Sequence, residues 1–357
     1  MFSVRAGKSR HVVGAVGALV LVLVSGTMAI AAVTPDPVLR GNGVDEGLGY
    51  SNTQYLTWTQ NSIRRPRHFD AFARMLVGGP RTRLNAAGTQ GFPGGFDPGT
   101  NTVIYQQQAR SSQLFFFDLD TQTRTRVSGV NTRWWEWGPQ ISTTHILFNR
   151  EFRQDGVWLN SMLLYDRETQ TTLELDGWLS GRAFTPTGSV GEAQASWTVC
   201  TRSACRAFVY DIARGRIRRL PSADHRHEYA PVVDEVNGDV YFVESGERCG
   251  ANAAIWRLPL DDFSVPATKI VDLPAGTDTG WVTTLAPNDS VTGSQDVFFQ
   301  RWKCGPDEGD IYVARDATST PDAPPGMPLS DHVPISSSVL RDRALPPAGD
   351  QIRHPWP

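Results

Sequence analysis

Apolar and polar positions along this chain follow a unit that recurs six times. Each unit has a run of apolar residues ending in an aromatic residue, a polar turn, and a second such run whose aromatic residue lies 12 to 17 residues after the first. Successive units are 43 to 57 residues apart. The paired aromatic residues are Trp58 and Phe72, Tyr105 and Phe117, Phe148 and Tyr165, Trp197 and Tyr210, Phe242 and Trp256, and Phe299 and Tyr312.

This period, carried by short strand-like runs, predicts an all-β chain: a six-bladed β-propeller with four-stranded blades. Long helical periodicity is absent, and 33 Gly, 24 Pro and 10% aromatic residues suit many short strands joined by tight turns. The continuous apolar run Leu114–Phe117 predicts a strand buried on both faces, as stacked blades require. We expect the propeller over residues 49–316 and a Pro-rich linker and tail over residues 317–357.

Closure of such a ring needs an extra strand, because an open ring leaves unpaired strand edges. The last blade shows no outer strand before the linker. Two stretches could supply it: one around Pro37 to Arg40 in an N-terminal extension over residues 32–48, and one around His332 to Ser336 in the tail. We favour the N-terminal stretch.

Residues 1–31 have the pattern of a signal peptide. Positive residues come first, an uncharged apolar stretch over residues 12–33 follows, and Ala29-Ile30-Ala31 is a small-x-small cleavage signal. The alternative is an uncleaved membrane anchor, since a stretch of this length can cross a bilayer. Three glycines within it weaken a permanent helix and favour cleavage. We therefore expect a protein that is secreted or resides in the cell envelope.

The charge balance limits the partners. Loss of residues 1–31 removes three positive charges and takes the formal net charge from −3 to −6. Nucleic acids and anionic membranes are poor partners for such a body, because their phosphates require a concentrated basic surface. The one basic cluster, over residues 214–219, alternates with apolar residues and indicates the solvent side of an outer strand. Membrane contact is expected only through an uncleaved N-terminal segment, and the domain is expected to be a monomer.

Four cysteines in an exported chain predict two disulfides. Cys200 and Cys205 flank a four-residue turn and can pair across a hairpin. Cys249 and Cys304 fall in the same turn of the next two repeats, which would be neighbours in a ring. The alternative is a four-cysteine zinc site, but these spacings lack the paired C-x-x-C clasps of structural zinc.

Short segments between the strands resemble a known family of repeats. Each of three such segments precedes an aromatic-ended strand: Phe96-Asp97-Pro98-Gly99, Phe184-Thr185-Pro186-Thr187-Gly188 and Leu285-Ala286-Pro287-Asn288-Asp289. They resemble the Ser-Pro-Asp-Gly turn of TolB-type propeller repeats. The pairs of an aromatic residue and Asp before an outer strand also resemble that family: Phe117-Asp118, Tyr165-Asp166 and Tyr210-Asp211. The resemblance covers about residues 50–316 and implies a six-bladed toroid that binds protein or glycan.

The same fold also forms the front domain of serine peptidases of the dipeptidyl-peptidase type. The chain has no Gly-x-Ser-x-Gly nucleophile elbow, and Gly188-Ser189-Val190-Gly191 lacks the required spacing. We therefore reject a peptidase and assign no catalytic residue.

Two segments that enter innermost strands carry unusual chemistry. Asn131–Trp137 includes Arg133, Trp134 and Glu136 before blade three, and Asp224–Tyr229 includes His225, His227 and Glu228 before blade five. Segments entering innermost strands converge on the axis, and blades three and five are separated by only one neighbour. We therefore predict that these six side chains line one mouth of the central channel and bind the ligand there.

Each segment also has a structural interpretation. Trp135 and Trp137 can pack between blades, although at least one of the three indoles should face the channel because neighbouring side chains on an extended segment point in opposite directions. The two histidines, with Asp224 or Glu228, could hold a divalent metal or act as an acid–base pair. His332 could add a third ligand. Alternatively, the segment is a solvated loop in which Glu228 pairs with Arg226.

These observations predict an exported binding module for an extracellular or cell-envelope protein or glycan, with the ligand at the channel mouth and no cofactor. The alternative is a propeller lyase or hydrolase with a His-based metal or acid–base site. A second alternative is a structural protein of the envelope. An enzyme is the less favoured class, and which metal, if any, would bind is unknown.

Overall fold

A computed structural model describes residues 36–39, 46–52, 54–62, 65–177, 179–180, 188–201, 204–221, 227–245, 254–272, 277–289, 294–303 and 310–314. All of them belong to the compact unit Ala31–Pro357, whereas the unit Met1–Ile30 lies outside the described residues. The described residues form 25 β-strands. No helix among them is long and apolar enough to cross a membrane. The predictions for residues 1–31 and 317–357 therefore concern undescribed parts of the chain.

The strands form antiparallel groups of four, which we call blades and number along the chain. Strand β1, Asp36–Leu39, belongs to the last blade. Blade one consists of β2 (Glu46–Ser51), β3 (Tyr55–Ser62), β4 (Arg65–Met75) and β5 (Thr82–Arg83). Blade two consists of β6 (Gln90–Phe96), β7 (Thr102–Gln108), β8 (Ser112–Asp118) and β9 (Thr123–Arg126).

Blade three has an additional short strand that pairs with its third strand. Its members are β10 (Trp135–Ile141), β11 (His145–Gln154), β12 (Val157–Asp166), β13 (Thr172–Glu174) and the additional β14 (Leu179–Ser180). Apart from β14, in every blade up to this point the chain passes from one strand to its immediate neighbour in the sheet. This meander order is typical of a propeller blade.

The next eight strands form one sheet that contains blades four and five. Blade four consists of β15 (Ser189–Val190), β16 (Gln194–Cys200), β17 (Cys205–Asp211) and β18 (Arg216–Arg219), and blade five of β19 (His227–Asp234), β20 (Asp239–Ser245), β21 (Ala254–Pro259) and β22 (Thr268–Asp272). A single parallel pair, Cys205 with His227, joins the two blades.

The last blade combines both ends of the described chain. It consists of β23 (Thr277–Asp289), β24 (Ser294–Lys303) and β25 (Asp310–Ala314), with β1 as its outer strand. Pro37 pairs with Tyr312 in antiparallel register. The N-terminal stretch thus occupies the position for which the sequence favoured it.

The aromatic runs recognised in the sequence are the second and third strands of the blades. Trp58 pairs directly with Phe72, and the same strands of the other blades contain the remaining aromatic pairs.

Inner strands of several blades contain a β-bulge near their start. Those that begin at Glu46, His227 and Thr277 are examples. A bulge inserts a residue and breaks the period-2 alternation, so the pattern is regular only after it.

The core lies between neighbouring blades. Leu114 and Phe116 contact the cluster between blades two and three, which includes Phe148, while Phe115 and Phe117 contact the cluster between blades one and two. The prediction that this strand is buried on both faces is confirmed. Similar clusters join blade three to four and blade four to five.

The aspartates of the aromatic–Asp pairs organise the turns before the outer strands. The Oδ1 atom of Asp118 accepts hydrogen bonds from the backbone N–H groups of Asp120 and Thr121, at 2.9 and 2.8 Å. The Asp166 carboxylate accepts the equivalent pair from Glu168 and Thr169. These backbone hydrogen bonds lower the pKa of both carboxyl groups, because they stabilise the charged form. The repeated aspartate is therefore a turn residue.

Cys200 and Cys205 form a disulfide across the hairpin between β16 and β17, as predicted. The second predicted bridge joins Cys249 and Cys304, which lie outside the described residues.

Candidate binding site at one end of blade three

A hairpin projects from one end of blade three. Strands β11 and β12 are joined by Asp155-Gly156, whose φ values are 50° and 82°. An Asp-Gly pair with both φ angles positive is typical of the tight type I′ turn. Trp135, the first residue of β10, pairs with Glu151, so residues 152–159 extend beyond the inner strand.

One side of this hairpin carries the predicted residues Arg133 and Trp134. The Trp134 and Phe152 rings lie 5.1 Å apart, and the Arg133 guanidinium lies 4.4 Å from the Trp134 ring. Phe152 is on the same face of β11 as Phe148, which packs towards blade two. Trp134 is half-buried and Arg133 is exposed. The indole is thus held in place on one side and reachable from solvent.

The opposite side of the hairpin carries two further tryptophans. The Trp135 and Trp158 rings meet edge to face at 6.3 Å, and both are half-buried. Trp158 was not singled out in the sequence, although its place two residues after an Asp-Gly turn was a usable signal. We call Arg133, Trp134, Trp135, Phe152 and Trp158 the blade-three rim.

Glu151 lies beneath the second pair of tryptophans. It pairs with Trp135 of β10 on one side and with Asn160 of β12 on the other, and only 6% of its surface is exposed. Burial raises its pKa from 4.5 to about 7, because the charged carboxylate loses hydration. Sequence reasoning missed this residue, since its burial depends on the side chains of neighbouring strands.

Glu136, predicted to contact ligand, is fully buried within the blade. Its Oε1 atom lies 3.0 Å from Nε of Arg150, and it also accepts a 2.6 Å hydrogen bond from the Thr132 hydroxyl. The structure corrects the expectation that this carboxylate lines an open channel mouth: it holds the entering loop against β11.

Glu228 is equally buried, between blades four and five. Its Oε1 atom lies 3.6 Å from Arg206 and 3.7 Å from Arg219, both of blade four. The alternative pairing with Arg226 involves a residue outside the described part of the chain. As with Glu136, the described contacts are structural and differ from the expected exposure to ligand.

The burial of both glutamates follows from a shared local sequence. Glu136-Trp137-Gly138-Pro139 and Glu228-Tyr229-Ala230-Pro231 occupy equivalent places in their inner strands, and both contain a bulge. Gly138 and Ala230 have φ values of 59° and 51°. The bulge fixes the direction of the preceding strand segment, so both carboxylates enter the blade. The common Glu-aromatic-small-Pro pattern was a signal that the sequence contained.

The histidine segment is only partly described. His227 is half-buried, and its Nδ1 atom lies 3.3 Å from the backbone nitrogen of Cys205, which donates to it. His225, Asp224 and His332 lie outside the described residues. In the described part of the chain, no group of three histidine, cysteine or acidic side chains has the geometry to hold a metal ion.

The predicted residues therefore belong to different surroundings. Arg133 and Trp134 contribute to the rim, Glu136 is inside blade three, and His227 and Glu228 contact blade four. It remains a prediction that the two segments line one mouth of the central channel.

Comparisons with known proteins concern the whole fold. No protein-family model and no curated protein sequence matches the chain. Solved structures are similar to it at low identity. TolB from Acinetobacter baumannii is 12% identical with a TM-score of 0.45, over 69% of this chain and 59% of that one.

The β-propeller domain of the trilobed protease from Pyrococcus furiosus is 10% identical with a TM-score of 0.46, over 79% of this chain and 100% of that one. An oligogalacturonate lyase in complex with manganese is 12% identical with a TM-score of 0.48, over 80% and 96%.

The described strands form antiparallel meander sheets of the kind found in a β-propeller. The chain spans 59% of the length of the Acinetobacter baumannii TolB. At these identities and TM-scores, nothing known of these proteins is transferred to this chain.

Proposed function

We propose that this propeller is an exported binding module that captures an extracellular or cell-envelope glycan or protein at the blade-three rim. The observation that carries the proposal is a set of three half-buried indoles at a projecting hairpin: Trp158 is part of the hairpin, and Trp134 and Trp135 lie beside its two faces. Indoles fixed by packing lose little conformational entropy on binding. They offer apolar faces to sugar rings and to the side chains of a peptide.

The polar members of the rim would set orientation. Arg133 is exposed and lies over the Trp134 ring, and its N–H groups can donate to hydroxyl or carbonyl oxygens of a ligand. A few polar groups on an apolar surface are the usual makeup of a specific binding site. Glu136 and Arg150 support this surface from inside the blade.

The complete architecture belongs to the same proposal. We infer that the six blades close into one monomeric six-bladed ring, for which the pairing of β1 with β25 is the support. The Cys200–Cys205 disulfide suits an oxidising compartment, in agreement with export by a signal peptide over residues 1–31. Retention of that segment as an anchor would place the same module at the cell surface.

The test is a ligand search on the exported protein with glycan and peptide arrays. Trp134→Ala and Trp158→Ala should each weaken capture of the selected ligand by about tenfold or more, because removal of an aromatic anchor typically costs about 2 kcal/mol of binding free energy. The matched control is Trp256→Ala, since Trp256 is also half-buried beside a cation, Lys269 at 5.4 Å, but belongs to blade five. Equal capture by wild type and both rim variants would contradict the proposal.

The lyase or hydrolase alternative depends on a His-based site. His227 is engaged with the Cys205 backbone, and His225 is not described. Metal analysis of the same purified sample tests it: a stoichiometric divalent metal that is lost in His227→Ala would favour this alternative. Absence of any ligand on the arrays, with full stability of the rim variants, would favour the structural role.

A further inference from the structure

Blade one contains a cleft that none of the proposed functions uses. It has a volume of about 210 Å³ and is lined by side chains that include Gln60, His68, Asp70, Phe72, Arg81 and Arg83. These residues come from three adjacent strands, β3, β4 and β5 and their ends. The register places Gln60 opposite Asp70 and Phe72 opposite Arg83, so they share one face of the sheet.

The two arginines of this cleft differ in whether a carboxylate compensates their charge. Asp70 Oδ1 accepts hydrogen bonds from Arg83 and from the Asn85 amide at 2.9 Å, so Asp70 neutralises Arg83. Arg81 instead donates to the neutral Gln60 amide oxygen at 2.9 Å and lies 4.6 Å from the Phe72 ring. One guanidinium charge therefore lacks a carboxylate among its described contacts.

This arrangement selects for an anion. An arginine that bonds to one amide oxygen retains donors in a planar fork, and this fork matches the two oxygens of a carboxylate or phosphate. A cation would meet the guanidinium charge of Arg81 and is disfavoured. The cleft is smaller than the roughly 300–1,000 Å³ of ordinary small-molecule sites, so its ligand must be small.

Polar groups around Arg81 add hydrogen-bonding capacity for hydroxyls. The amide of Gln60, the imidazole of His68 and the carboxylate of Asp70 face the same cleft, and His68 Nε2 lies 3.5 Å from Asp70 Oδ1. We infer that blade one holds a second ligand site, which binds a small polyol or monosaccharide through a carboxylate or phosphate group. The site is separate from the blade-three rim and does not depend on the function proposed for it.

Titration calorimetry on the exported protein tests this inference with glucuronate, glucose 6-phosphate, inorganic phosphate and glucose. We expect saturable binding of both anionic sugars in the millimolar range or tighter, with glucose weaker by about tenfold, because the charge-assisted hydrogen bonds are missing. Tight binding of inorganic phosphate would show that the anion alone is recognised. No saturable heat with any of the anions would overturn the inference.

Two variants locate the site. Arg81→Gln should weaken binding of the anionic sugars by about tenfold, whereas Arg126→Gln, at an exposed arginine of β9, should leave it unchanged. Arg81→Lys keeps the positive charge but loses the planar fork of donors, so it should bind with intermediate affinity. Binding by this variant would show that a substitution at this position leaves the protein folded. Unchanged affinity in Arg81→Gln would overturn the assignment. Trp134→Ala should leave this binding unchanged, which separates the site from the rim.

Discussion

Gln122 and Gln170 occupy the same position in the turns before the outer strands of blades two and three, and both have left-handed φ values, 55° and 58°. Each is the fourth residue after the aspartate that caps the turn, Asp118 or Asp166. Gly215 has this position in blade four, with φ of 62°. The turn geometry is therefore repeated even though the residue that suits it best is present in only one of these three turns.

Glycine substitution at these turns should stabilise the protein. A left-handed backbone costs a non-glycine residue about 1–2 kcal/mol, and the entropic disadvantage of glycine offsets about 0.5–1 kcal/mol of this. Gln122→Gly and Gln170→Gly should each raise the free energy of unfolding in urea by about 0.5–1 kcal/mol. Gly215→Gln should lower it by a similar amount, and a gain in that variant would contradict the argument.

The two kinds of tryptophan should differ in their effect on stability. Trp197 is 1% exposed and stacks on Phe208 at 5.5 Å, so Trp197→Ala should cost about 3–5 kcal/mol of unfolding free energy. Trp134→Ala removes a half-buried ring and should cost about 1 kcal/mol. Urea denaturation measures both, and equal losses would show that Trp134 is a core residue.

The buried glutamates should depend unequally on their arginines. Arg150→Met leaves the buried Glu136 carboxylate without its partner and should cost about 3–5 kcal/mol of unfolding free energy. Arg219→Met should cost about 1 kcal/mol, because Arg219 is half-exposed and Arg206 still lies 3.6 Å from Glu228. Chemical denaturation of both variants at neutral pH tests this order.

Glu151 should make the protein less stable as the pH rises. Its folded-state pKa of about 7 lies above the ordinary value of 4.5, so the folded state holds the proton more tightly than the unfolded chain. The stabilisation from this group is complete below about pH 4.5 and is lost as the pH rises to about 7, by about 3 kcal/mol in total. Glu151→Gln should remove this loss and be the more stable protein at pH 8.

The control for this experiment is Glu168→Gln, at an exposed turn glutamate, which should keep the wild-type pH profile. A slope between pH 4 and 6 should remain in Glu151→Gln, because burial also raises the pKa of Asp176, to about 6. Identical profiles for wild type and Glu151→Gln would show that Glu151 is not desolvated in solution.

Non-reducing peptide mapping of protein produced in an oxidising compartment should reveal two disulfides. Loss of Cys200–Cys205 in the double alanine variant should cost about 2 kcal/mol, since the closed loop is short. A Cys249–Cys304 bridge closes a loop of about 55 residues and should contribute about 4 kcal/mol. Free thiols at Cys249 and Cys304 would contradict the second bridge.

Much of the fold could be predicted from the chain because its signals are local. A run of apolar residues that ends in an aromatic residue and is followed by turn residues indicates a strand. The pairing of Trp58 with Phe72 needs only a hairpin between two such strands. The continuous apolar run Leu114–Phe117 already indicates that both faces are covered. The Cys200–Cys205 bridge follows from a four-residue turn.

The site was predicted less well, because the direction of a side chain depends on strand register. Trp134 and Glu136 are close in sequence, yet one reaches the surface and the other is buried against Arg150. The bulge after Trp137 and the register of Trp135 with Glu151 decide this, and neither can be read from residue types. The sequence alone thus determined the repeat, its strands and the rim's aromatic composition, whereas the tertiary structure decided which charges face solvent, because burial is a property of neighbouring blades.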